Sequence, residues 1–134
     1  MQVVQAAAAY VSSGMLSLFF VYIREAHPED GWSIPAGNGR CYKQTHTLQA
    51  RLQVAQDFLE GCPAVGDVAI LVDDPATNAV DRLYEAAPER LVLLDHDLRV
   101  VFASGQGPFQ YHVEALVKFT GSRNGDISSP LGGC

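Results

Sequence analysis

The chain of 134 residues is 48% hydrophobic and 18% charged, enough apolar side chain for one packed domain and too little charge for a disordered one. With 15 acidic against 9 basic residues the formal net charge is −6, which excludes the clustered Lys and Arg of a nucleic-acid footprint. Three cysteines, Cys41, Cys62 and Cys134, form neither a paired framework nor a C-x-x-C motif, so a reduced, cytoplasmic compartment is expected.

Residues 1–23 carry no charged side chain and are long enough to span a bilayer. Gln2, Gln5, Ser12, Ser13 and Gly14 interrupt the run, and no positive start marks an export signal. The stretch therefore reads as an Ala-rich helix over 2–12, a break at Ser12–Gly14, and a strand over 16–23. That strand is continuously apolar, which predicts burial on both faces. A loop rich in Gly, Pro, Asn and Ser follows over 28–46. Thr47 is placed to cap a helix running to about residue 60, with Leu48, Leu52, Ala55 and Leu59 on one face. "VAILVDD" (68–74) reads as a second buried strand and 77–85 as a short helix. Strands at 90–95 and 99–104 make a hairpin around His96–Asp97, "GQGP" is a turn, 112–120 is a last helix, and 121–134 a frayed tail.

Helices between strands imply parallel pairing, and the hairpin adds an antiparallel edge to a mixed α/β sheet. In such sheets ligands sit beyond the C-terminal ends of the parallel strands. Tyr22, Glu25 and His27 emerge at one such end. Histidine is the side chain that titrates near neutral pH, and a carboxylate and a phenol beside one form a proton relay. Taken singly, each has a plainer reading: His27 as a strand-end cap, Glu25 as a solvated charge, Tyr22 as a core aromatic and Trp32 as packing. Asp73 and Asp74, adjacent on a strand, point to opposite sides, so no metal site is expected.

The element order is that of a thioredoxin-like domain from its active-site helix onward, and Pro88 stands where that fold usually has a cis-proline. The string "VYIREAHPEDGW" resembles the Tyr-Ile-Glu-Glu-Ala-His-x-x-Asp-Gly-Trp signature of the iodothyronine deiodinases. "ILVDD…N…LYEAAPERLVLLD" and "GQGPFQYHVEAL" resemble two further blocks of that family in the same order, so the resemblance covers about residues 15–120. It implies a thioredoxin-like domain over 1–120, incomplete at its N-terminus, and reductive dehalogenation of an iodinated phenol or related aryl halide, with an external thiol as reductant. By the same resemblance Tyr22, Glu25 and His27 supply the proton that replaces iodine, and Trp32, Tyr84, Pro88 and Arg90 contact the substrate. Arg24 departs from the family's first glutamate. Gln106 is neutral where some animal deiodinases have a basic residue that contacts the iodothyronine. The family often dimerises, so a homodimer is expected.

The family's nucleophile is a selenocysteine, or a cysteine in some relatives, and the pattern places it a few positions before Met1. None of the three cysteines aligns there; Cys62 stands where some relatives have a resolving cysteine. The sequence thus reads as the downstream part of a longer selenoprotein whose UGA codon has been taken as a stop. The fold would then lack a central strand, leaving 16–23 and 90–95 with open edges or paired directly to each other. Two other functions stay open at this point: a thiol or peroxide reductase, and a non-catalytic thioredoxin-like binding domain.

Overall fold

A computed structural model of the chain describes residues 2–34 and 41–126. Helix α1 spans Gln2–Ser12, matching the sequence expectation. Its alanines favour helix, and Gly14, at φ 75°, takes the left-handed turn that ends it. The backbone N–H groups of Met15 and Leu16 then both donate to the Tyr10 carbonyl, at 2.9 and 3.1 Å.

Strand β1 (Phe19–Tyr22) pairs in parallel with β2 (Ala69–Val72), Phe19 opposite Ala69 and Tyr22 opposite Val72. Between them runs α2 (Leu48–Gly61), followed by a 3₁₀ turn at Pro63–Val65. Thr47 caps α2 as expected, its Oγ1 accepting from the Ala50 N–H at 3.2 Å. Thr47→Ala is expected to lower stability by about 1 kcal/mol, seen as a lower urea midpoint at unchanged slope.

The chain continues through α3 (Ala79–Tyr84), β3 (Val92–Leu94), β4 (Val100–Ala103) and α4 (Val113–Asp126). The hairpin forms where predicted, with β3 and β4 antiparallel. Its turn is held by Asp95, whose Oδ1 accepts the N–H groups of Asp97 and Arg99, both at 2.9 Å.

Four expectations are corrected. The strands form two separate two-stranded sheets, and among the described residues no ladder joins β1 to β3. The hairpin is therefore not the edge of a single mixed sheet, nor do β1 and β3 pair directly. The halves meet through side chains: Val3 of α1, Leu91 before β3 and Val113 of α4 form a buried cluster, and Phe20 of β1 and Phe102 of β4 pack against it.

The parallel pair is not buried on both faces. Phe19 is 48% and Leu71 53% exposed, because α2 packs against one face of β2 and leaves the alternate residues outward. The buried side of α2 is Arg51, Val54 and Ala55, while Leu48 and Leu52 stay exposed.

Finally, α4 continues past residue 120 to Asp126. The hydroxyls of Thr120 and Ser122 donate back to the carbonyls of Leu116 and Phe119, at 2.9 and 2.8 Å, so these polar residues are accommodated within the helix. The rest of the predicted tail, with Cys134, lies outside the described residues. No helix among the described residues is long and apolar enough to cross a membrane.

Candidate functional site

β1 stops at Tyr22 because β2 leaves it there: the last bond between them is from the Asp73 N–H to the Tyr22 carbonyl, 2.9 Å. The Tyr22 ring is half-buried and lies 6.1 Å from the Phe58 ring of α2. Its hydroxyl donates to Oε1 of Glu25 at 2.6 Å, the short distance of a bond to a charged acceptor. Burial first, then that bond and the Glu25 charge, push the phenol above its ordinary value of 10.0. Tyr22 therefore stays protonated at neutral pH and serves as a fixed donor to Glu25.

A folded-state phenol raised above its unfolded value contributes stability that is complete below pH 10 and lost as pH rises towards the folded value. Tyr111, raised by burial and then by Glu89, acts in the same sense. Stability is expected to be flat through neutrality with respect to these groups and to fall above about pH 10. In Tyr22→Phe that alkaline fall should be shallower but not abolished; urea unfolding from pH 8 upward measures it, and an unchanged slope would contradict the Tyr22–Glu25 geometry.

His27 stands apart from this pair. Its Nδ1 lies 3.2 Å from the Trp32 carbonyl, and the two rings meet edge to face with centroids 4.9 Å apart. Trp32 itself is 75% exposed. Among the described residues no bond joins Glu25 to His27. The expectation that the carboxylate holds the imidazole is thus corrected: Glu25 turns back three residues to the phenol. With Nδ1 protonated and donating to Trp32, Nε2 is the nitrogen left open.

The remaining predicted substrate contacts cluster at the start of the hairpin. The Ala87–Pro88 bond is cis, as the thioredoxin-like reading expects. The Tyr84 carbonyl accepts from Nη1 of Arg90 at 2.8 Å, and Nε of Arg90 donates to the Ser104 carbonyl at 2.7 Å. Arg90 is therefore a staple between α3 and the end of β4. Gln106 ties the same turns together, its Nε2 donating to the carbonyls of Glu85 and Ala87 at 2.8 and 3.1 Å.

Sequence reading missed several residues around this end of β1. Arg24 pairs through Nε with the buried Asp81 at 2.7 Å, and the other Asp81 oxygen accepts the Ala87 N–H at 3.0 Å. The carboxylate of Asp73 caps α3 at the N–H groups of Val80 and Asp81, 3.1 and 3.0 Å away. A polar cavity of about 530 Å³ is lined by Arg24, Asn78, Asp81, Arg82, Glu85, Ala87 and Gln106. It shares no lining residue with the Tyr22–Glu25 pair. The pair unites a carboxylate with a fixed proton donor, whereas the cavity's Arg24 and Asp81 neutralise each other. Gln44 holds the backbone of Glu25 and is itself held by Asp30; the only signal for Gln44 was the polar character of its loop.

Residues 8–121 match the family model described as iodothyronine deiodinase. The chain is 43% identical over 99 residues to a thyroxine 5-deiodinase of Aquarana catesbeiana, covering 72% of this chain and 34% of that protein. It is 30% identical over 106 residues to a type II iodothyronine deiodinase of Homo sapiens, covering 78% and 38%. A thyroxine 5-deiodinase of Gallus gallus is 34% identical over 110 residues, covering 82% and 40%. The chain thus spans between a third and two-fifths of the length of these relatives. By the span of the family match and by these identities, the chain belongs to the iodothyronine deiodinase family.

Proposed function

We propose that this chain carries the proton-supplying part of a reductive deiodinase, in a thioredoxin-like arrangement, acting on an iodinated phenol or related aryl halide. The observation that carries the reading is the 2.6 Å bond from Tyr22 to Glu25 at the end of a parallel strand, in a chain of this family. In the reaction a selenolate or thiolate takes the iodine, the aryl carbon–iodine bond breaks, and a selenium–iodine or sulfur–iodine bond forms. The carbon takes a proton in place of iodine. Two external thiols then return the nucleophile to its reduced form, releasing iodide and forming a disulfide. Tyr22 fixes Oε1 of Glu25, which leaves Oε2 to pass the proton; the outer nitrogen of His27, not bonded to Glu25, is a separate proton source. The exposed Trp32 beside His27 offers an aromatic face to an iodinated ring. The nucleophile in this proposal is a selenocysteine or cysteine outside the 134 residues.

A non-catalytic binding domain is the second reading. What favours it is that neither exposed Cys41 nor Cys62, at the C-cap of α2, belongs to the Tyr22–Glu25 group. Thiol-dependent iodide release from an iodinated phenol separates the two. The natural gene product carrying these residues releases iodide under the first reading; binding of the phenol without iodide release establishes the second.

A further inference from the structure

Glu25 lies beyond the last paired residue of β1, so the sheet does not hold its backbone. The side chain of Gln44 does so instead. The Glu25 N–H donates to Oε1 of Gln44 at 3.1 Å, and Nε2 of Gln44 donates to the Glu25 carbonyl at 3.0 Å. A carboxamide here makes the two-bond exchange that an opposing residue makes in an antiparallel ladder. Only one orientation of the amide satisfies both bonds, so its oxygen and nitrogen are assigned by the network.

Gln44 is itself anchored. Its N–H donates to Oδ1 of Asp30 at 2.9 Å, and the Glu29 N–H donates to the Tyr42 carbonyl at 2.8 Å. The bond from Gln44 is the leading cause that holds the Asp30 carboxyl below its ordinary range. The next residue, Thr45, is buried and bonded to the guanidinium of Arg51. The segment 42–45 is thus fixed to α2, and it grips the segment 25–30.

We propose that Gln44 is the positioning residue of the site: by fixing the peptide of Glu25 it aims the carboxylate at the Tyr22 hydroxyl and keeps Oε2 in place for proton transfer. Its catalytic meaning rests on the deiodinase reading; the geometry does not.

The first readout needs no activity. In the 134-residue chain the Tyr22 hydroxyl proton, bonded to a carboxylate, should give a downfield, slowly exchanging NMR resonance, identified by its loss in Tyr22→Phe. Gln44→Leu removes both clamp bonds, and the resonance should vanish or move upfield while the amide spectrum of α2 and β2 is kept. Gln44→Glu keeps the shape and the acceptor but loses the donor, so it should weaken the resonance, and it covers the case in which the leucine variant does not fold. An unshifted resonance in either folded variant overturns the proposal, as does its absence from the unsubstituted chain. In the active gene product kcat should fall about 10- to 100-fold with KM little changed, as for a misaimed group. A KM effect alone overturns the positioning role. Absence of iodide release from the unsubstituted protein, with the resonance behaving as stated, would count against the deiodinase reading and leave the clamp standing.

Discussion

Arg51→Leu is expected to lower stability by about 3–5 kcal/mol, the cost of leaving several buried acceptors without their donor at about 1–3 kcal/mol each, against a typical total of about 5–15 kcal/mol for a domain. Arg51 is only 1% exposed. Its Nε donates to Oγ1 of Thr45 at 2.9 Å, and its Nη1 donates to the Asp73 carbonyl at 3.0 Å and to Oδ1 of Asn78 at 2.9 Å. Every one of these acceptors sits on a different turn of the chain around the end of β2. Leucine fills part of the volume but leaves those oxygens without donors, and each buried unsatisfied group costs about 1–3 kcal/mol. Arg51→Lys should recover only a fraction, since an ammonium does not reproduce the planar fork. Leu52, one residue on and 44% exposed, is the control: Leu52→Ala should shift stability by about 0.5 kcal/mol or less. Urea unfolding of the three variants checks the set. An Arg51→Leu midpoint equal to that of the parent protein contradicts the network.

The second large effect falls on chemistry. Glu25→Gln is expected to reduce the rate of deiodination by about 100-fold or more, the usual range for losing a positioned acid–base group. The amide keeps an oxygen that still accepts from Tyr22, so the fold around the site is retained. It does not cycle a proton. Tyr22→Phe should cost less, because the phenol holds the carboxylate but keeps its own proton. A His27→Gln loss equal to that of Glu25→Gln would place both on one relay despite their separation in this structure. Rates measured with matched circular dichroism spectra distinguish these chemical losses from unfolding.

Much of this architecture was legible in the residues. The Ala-rich run with Gly14 behind it marked α1, Thr47 marked the start of α2, and the apolar runs flanking His96–Asp97 marked the hairpin. The candidate site was legible at Tyr22 and Glu25, because their spacing at a strand end brings the two side chains together. His27 was read as held by the carboxylate and the phenol, whereas it meets Trp32, since the path of the loop decides which group it reaches. Arg51 was illegible for a physical reason: on a helix that also carries Leu48 and Leu52, periodicity assigns the leucines inward and the charge outward. What inverts that assignment is a set of oxygens, the Thr45 hydroxyl, the Asp73 carbonyl and the Asn78 amide, brought together only by the fold. The exposure of β1 and β2 was hidden likewise, because a continuous apolar run does not state how many layers cover it. Gln44 carried no pattern at all, since its two bonds reach a residue 19 positions away.

In the proposed reaction Tyr22 and Glu25 form the proton-supplying group of a deiodinase. The most direct test compares iodide release from an iodinated phenol, with excess thiol, by the natural gene product carrying these residues and by its Glu25→Gln variant. Thiol-dependent release is expected from the first and a loss of about 100-fold in the second. Equal release by both, or none by the unsubstituted protein, would contradict that role.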